Sequence, residues 1–201
     1  MNKGYVLLLE GYTDKKLLEH LLPNTVNCQP KCDTGSILNG KDGILLALPE
    51  QINRLLDKKI DKLAIAIDAD TDFSKRKQEI ETTLEEKGFD IVSPTNIGLG
   101  VKYLHKQNSS FQVGVLIFPD HQNNGELETL LSTCADQTKL TDYSAFIDAQ
   151  QLEKKEKSTI FCWLASNTHT CGFDNLFIKN LIDINHPSIQ GIKTWLEEVY
   201  K

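Results

Sequence analysis

The chain has 201 residues, 40% of them hydrophobic and 25% charged, with a formal net charge of −6. That composition fits one compact domain with a real core and a small appended subdomain, and the acidic balance excludes nucleic-acid binding through a broad basic surface, though not through a local basic groove or bound divalent ions. No apolar run reaches bilayer-spanning length and the N-terminal run VLLLEG is broken by Glu10, so neither a membrane span nor a signal peptide is expected, and a cytoplasmic location is.

YVLLLE (5–10) is an apolar run bounded by glycine and predicts a buried strand ending at Glu10. Residues 13–22 carry Leu17, Leu18, Leu21 and Leu22 at helical spacing, with Thr13 as N-cap. VNCQPKC (26–32) predicts a second strand that Pro30 confines to an edge or makes irregular. The stretch from Gly35 onward reads as loop and then helix, which Pro49 is expected to kink or split. KLAIAIDAD (62–70) is the strongest strand pattern, and residues 71–88 follow as a helix closed by Gly88.

FDIVSP (89–94) and FQVGVLIFPD (111–120) predict two more strands, and residues 123–136 a short helix. Strands and helices alternate and the strands do not themselves alternate polar with apolar, so a mostly parallel sheet covered on both faces is expected. From about residue 140 the pattern turns helical: 143–166 reads as one long amphipathic helix whose LEKKEK run is a solvated face, and 186–200 closes the chain with Ile189, Ile192, Trp195, Leu196 and Val199 at core spacing. The expected division is an α/β unit over 1–136 and a mainly helical extension over 137–201, packed on the same core.

The chemistry lies in the acids. Asp68 and Asp70 are two apart at the end of the best strand, so a period of two places both on one side, roughly 6–7 Å apart. Two carboxylates there repel unless a proton or cation separates them. Asp72 follows in the loop. Ligands of open α/β sheets gather beyond the carboxyl ends of the strands. Glu10 reaches that edge if its strand runs parallel beside the other, with Gly11 allowing the turn. Acids also collect at strand ends merely because those ends are exposed, but three at two neighbouring ends favour magnesium or manganese. Asp120 ends a later strand and could serve a second ion. Glu126 and Glu128 open a helix, where the dipole alone favours acids. Of the histidines, only His121 stands where chemistry is plausible. Cys28 and Cys32 lack a second tight pair. Reduced thiols are expected rather than a zinc site completed by Cys162, His169 and Cys171.

EGYTD (10–14) and IAIDAD with Asp72 (65–72) resemble the motifs of TOPRIM domains, found in topoisomerases, bacterial primases and OLD-family nucleases. With VGVLIFPDHQNNGELETLL (113–131) and the helical C-terminal part, the whole layout resembles the small DUF3226 proteins. That resemblance implies a Rossmann-like TOPRIM fold. It also implies Mg2+- or Mn2+-dependent phosphodiester hydrolysis or related phosphoryl transfer on nucleic acid. Glu10 would be acid, base or ligand, and Asp68 and Asp70 would hold the ion, with Asp72 and Asp120 secondary. Topoisomerase, primase and ATPase parts are not evident. Nucleic acid would bind weakly without a basic partner, and an ATPase or other protein could be that partner. The alternative is a catalytically degenerate TOPRIM-like protein that binds nucleic acid or a partner.

A haloacid-dehalogenase-like phosphatase would need Thr or Val where Asp72 stands and its motif on the first strand. A receiver-like domain would need Lys102 at a strand end, and that lysine, which follows no clear strand, reads instead as solvated or as substrate-facing, where it could contact phosphate or stabilise developing charge.

Overall fold

The computed structural model describes residues 4–22, 28–32, 41–152, 154–169 and 172–201, with the backbone alone at Thr13, residues 28–32 and Lys41. The strands are β1 (Gly4–Leu9), β2 (Cys28–Cys32), β3 (Ile60–Asp68), β4 (Thr95–Ile97), β5 (Gly100–His105) and β6 (Asn108–Phe118). They form one sheet in the order β2-β1-β3-β6-β5-β4. The helices are α1 (Tyr12–Leu21), α2 (Lys41–Leu56), α3 (Phe73–Glu86), α4 (Leu127–Cys134), α5 (Gln137–Ala149), α6 (Lys155–Thr168), α7 (Asp174–Ile178) and α8 (Pro187–Tyr200).

This is an α/β fold, but the expected Rossmann-like TOPRIM arrangement with a mostly parallel sheet does not hold. The sheet is mixed. β2, β1, β3 and β6 run parallel, whereas β4, β5 and β6 form an antiparallel meander. The departure begins at β5: the sequence shows no clear strand at GVKYLH and suggests one at 89–94, whereas GVKYLH is the strand and only an isolated bridge joins Phe89 to His105. A tight connection at 105–108 then returns the chain antiparallel into β6, as short connections between paired strands require.

Among the described side chains, the C-terminal halves of β1, β3 and β6 are apolar on both faces up to the strand ends because both faces are covered. On β1, Leu7 and Leu9 enter one core and Val6 and Leu8 the other. On β6, Leu116 and Phe118 face the first core, and Val113, Val115 and Ile117 the second. The second core is closed by α2 and α3 through residues such as Leu48, Ile52, Ile80 and Leu84. The first is closed by α1, α4 and the C-terminal helices, with Trp163, Phe173, Trp195 and Leu196 all essentially inaccessible. Residues 137–201 therefore supply much of one wall of the main core.

Small residues on that face let helices come close. A Cβ on Gly114 of β6 would collide with both methyl groups of Val199 on α8. Three helical expectations change: α2 runs through Pro49 without splitting, α1 begins at Tyr12 with Gly11 as N-cap, and the predicted helix over 143–166 is two helices, α5 and α6. No helix among the described residues is long and apolar enough to cross a membrane.

Candidate metal centre

The parallel strands β1, β3 and β6 end at a common edge, which brings together Glu10 after β1, Asp68 at the end of β3 and the loop that leads from β6 into α4. Glu10 Oε1 accepts the backbone N–H of Asp68 at 2.9 Å, so the first strand's acid is tied to the third strand's end. Gly11 is not left-handed: its backbone is extended (φ −140°, ψ 169°), and its N–H donates to Asp14 Oδ2 at 3.0 Å. The turn into α1 is therefore made by a local cap from an acid in the first helical turn, and the backbone angles at position 11 do not themselves call for glycine.

Asp68 is only 8% exposed. Its Oδ1 accepts the N–H of Leu127, the first residue of α4, at 2.9 Å. The two neighbours of Leu127 in sequence, Glu126 and Glu128, close on the same carboxylate. One carboxylate oxygen from each of Asp68, Glu126 and Glu128 lies within 4.8 Å of the others. Glu128 is 1% exposed. Sequence alone explains these two acids by helix-dipole preference. The signal that would have found them was positional: Glu-Leu-Glu opens a helix right after a strand that ends at the same edge as Asp68.

The loop is held by three devices. Asp70 and Gly125 pair their backbones reciprocally at 2.9 and 2.8 Å. Gly125 has φ +141°, and a Cβ there would meet Thr129 Oγ1 at 2.8 Å, so glycine is required for the close approach. Asn124 Oδ1 accepts the N–H of Phe73 and its Nδ2 donates to the carbonyl of Thr71, both at 2.7 Å, which clamps the loop to the start of α3.

The LEKKEK run, expected to be a solvated face, supplies cations to this cluster. Lys157 Nζ stands 2.8 Å from Glu128 and 3.5 Å from Glu126, and Lys154 Nζ 2.8 Å from Glu126. The lysines border a cleft of about 420 Å³ that Asp70 and Thr71 line from the other side.

The electrostatics are those of crowded carboxylates. Burial pushes the Glu10 carboxyl up to about 7, with Asp14 and Asp70 adding repulsion against the opposing Asp68 hydrogen bond. Burial also raises Asp68 well above the usual carboxylate range, helped by the charges of Glu10, Asp14 and Glu128. Lys157 is partly buried, which works against its charge, yet contact with Glu128 and Glu126 holds its pKa above the ordinary lysine value. A hard-oxygen set whose mutual repulsion is incompletely discharged, beside backbone N–H groups that fix its geometry, fits a divalent cation.

The remaining sequence candidates fall around the cluster. β3 stops at Asp68, so the period-two argument does not carry to Asp70, which adopts φ 53° and lies 3.8 Å from the buried guanidinium of Arg76. Arg76 Nε in turn donates to the carbonyl of Asp68 at 3.3 Å. Asp72 caps α3, accepting the N–H of Lys75 at 2.9 Å. Asp120 accepts the N–H groups of Gln122 and Asn123 and the Asn123 amide, within its own loop. Those bonds hold its carboxyl low against the opposing effect of partial burial.

His121 Nδ1 accepts the N–H of Ile117, and burial together with Lys77 lowers the imidazole pKa to about 4, so a neutral ring anchors the loop. Lys102 lies on β5, close enough to Lys62 to add to the burial that lowers that lysine's pKa. Lys62 sits near the start of β3, away from the carboxylate edge. Cys162 is a free thiol, whereas Cys171 and the side chains of Cys28 and Cys32 lie outside the described residues.

No curated protein and no solved structure matches this chain. The family described as "Protein of unknown function (DUF3226)" matches residues 4–201. With the match running from β1 to the end of α8, and so spanning both the strands that carry Glu10 and Asp68 and the helices that carry Glu128 and Lys157, the chain belongs to the DUF3226 family.

Proposed function

We propose that the protein is a magnesium- or manganese-dependent phosphodiesterase, or a related phosphoryl-transfer enzyme, acting on nucleic acid. The observation that carries this reading is the convergence of Asp68, Glu126 and Glu128 at the edge where Glu10 meets Asp68. The resemblance of EGYTD and IAIDAD to TOPRIM motifs, including those of OLD-family nucleases, supports the choice of reaction. Asp68, Glu126 and Glu128 would hold the ion, with Glu10 and Asp70 beside it and Asp72 and Asp120 outside the group. A bound divalent ion supplies Lewis acidity toward a phosphoryl oxygen and an activated water.

The protein's own groups supply the rest. Glu10, with a pKa near 7, is poised to give or take a proton at its carboxyl oxygen around neutral pH. Arg76 holds the Asp68 carbonyl and lies near Asp70, which fixes the strand end. Lys154 and Lys157 stand at the cleft where a phosphate would enter. A cytoplasmic setting and an ATPase or other basic protein partner belong to the same proposal, because the net charge of −6 leaves nucleic-acid affinity to the cleft alone.

One observation favours a second reading. The ion pairs of Lys157 with Glu128 and Lys154 with Glu126 offset part of the cluster's charge without any ion, as in a protein that binds nucleic acid or a partner and no longer cuts. The test is cleavage of single-stranded DNA, duplex DNA and RNA in manganese and in chelator, beside Asp68→Asn, Glu128→Gln and Glu10→Gln. Metal-dependent cutting that falls about a hundredfold or more in these variants supports the enzyme. Equal cutting by all of them marks a contaminant. No cutting, with wild-type manganese binding that Asp68→Asn loses, supports the second reading.

A further inference from the structure

We propose that Lys157 is an internal counter-cation that must leave Glu128 before a divalent ion can bind, so that ion and phosphate ligand bind cooperatively; this deepens the reading above and rests on it. Glu128 is fixed: its side chain is 2% exposed and it sits in α4, whose first N–H is held by Asp68. Lys157 is the mobile half of the pair. Its side chain is 37% exposed, it rises from the first turn of α6, and it borders the open cleft. The ammonium touches both Glu128 and Glu126, two of the three acids that would surround an ion. An ammonium and a divalent cation held by the same carboxylates repel each other, most strongly where water is excluded.

Once displaced, the ammonium groups of Lys157 and Lys154 face the cleft beside the N-terminus of α6, where the helix dipole disfavours positive charge. A phosphate group in the cleft removes that repulsion by accepting charge-assisted hydrogen bonds from both lysines. The ion thus frees the phosphate's partners, and the phosphate stabilises the arrangement that admits the ion. By linkage the coupling runs equally in both directions.

The test is a manganese titration of the full chain, read by the electron-spin resonance of free Mn2+, for wild type, Lys157→Met and Lys157→Arg. Each is run with and without thymidine 5′-monophosphate. Lys157→Met is expected to bind manganese about three- to tenfold more tightly than wild type without nucleotide, the size of one partly buried ion pair. Lys157→Arg stays close to wild type. The nucleotide tightens manganese binding to wild type and does so much less in Lys157→Met.

Equal or weaker binding by Lys157→Met, with wild type still binding, overturns the counter-cation and leaves the proposed function standing. Binding by neither protein removes both. Should Lys157→Met fail to fold, magnesium titration of 15N-labelled wild type answers the same question. The Lys157 Nζ resonance is expected to move to an exposed, exchange-broadened position, and an unmoved resonance at saturating magnesium contradicts the displacement.

Discussion

At the residue scale, Glu10 and Asp68 tie the protein's stability to pH at the site itself. Both carboxyls have raised pKa values in the fold, Glu10 from 4.5 to about 7. The folded state therefore favours their protonated forms. The contribution of Glu10 to stability is present in full below pH 4.5 and is lost as pH rises through about 7, and that of Asp68 is present in full below pH 3.8 and is lost as pH rises through its elevated pKa. His121, whose pKa burial lowers from 6.5 to about 4, contributes with the opposite sign over nearly the same range, so in chelator the melting temperature of wild type relative to Glu10→Gln is expected to fall between pH 4.5 and about 7; an unchanged slope in the variant would refute the assignment. Manganese is expected to reverse the trend, because ion binding requires the deprotonated carboxylates and grows stronger with pH. Asp68→Asn keeps an oxygen for the Leu127 N–H while removing the charge that Glu10 and Glu128 oppose. It is expected to abolish the manganese-induced rise in melting temperature without unfolding the protein.

At the scale of elements, the strands that bear the acids were legible in the sequence, and the acids' partners were not. Apolar runs closed by Glu10 and Asp68 announce β1 and β3, since interior parallel strands buried on both faces leave that pattern. β5 was lost because Gly98, Gly100 and Lys102 in GLGVKYLH weaken any strand signal, and the two glycines answer to packing against α8: a Cβ on Gly98 would strike the Gly191 carbonyl and one on Gly100 the Trp195 ring. Lys154 and Lys157 read as solvent-facing because their acidic partners are 28 and 29 positions away, a distance that local periodicity cannot span.

The packing has its own test. Gly114→Ala forces a methyl group into Val199 and is expected to cost about 1–3 kcal/mol in denaturant unfolding; a neutral result would mean that α8 can withdraw from the sheet. Asn124→Ala removes both hydrogen bonds of the loop clamp. The expected loss is about 1–2 kcal/mol, with manganese affinity falling as well, since the clamp fixes the approach to Glu126. Unchanged affinity would show that Gly125 and Asp70 suffice.

For the whole molecule, the C-terminal helices form a wall of the main core and deliver the cationic side of the cleft. Fold and site are thus coupled: α4 and α6, which bring Glu128 and Lys157 together, are anchored in that core by Leu127, Leu131, Ile160 and Trp163. With a net charge of −6, the proposed nucleic-acid binding would rest on the lysines of the cleft. Affinity for a short oligonucleotide is therefore expected to be weak and to fall with salt on a shallow slope, of about two to three phosphates' worth of counterions; a slope of six or more would reveal a basic surface elsewhere. The central claim is that Asp68 at the end of β3 and Glu126 and Glu128 at the start of α4, beside Glu10 after β1, hold a divalent cation. It is tested most directly by the anomalous difference map of a crystal soaked in manganese at pH 8. The account predicts a peak about 2.0–2.6 Å from carboxylate oxygens of Asp68 and Glu128, and an empty cluster, or a peak bound only at other acids, would contradict it.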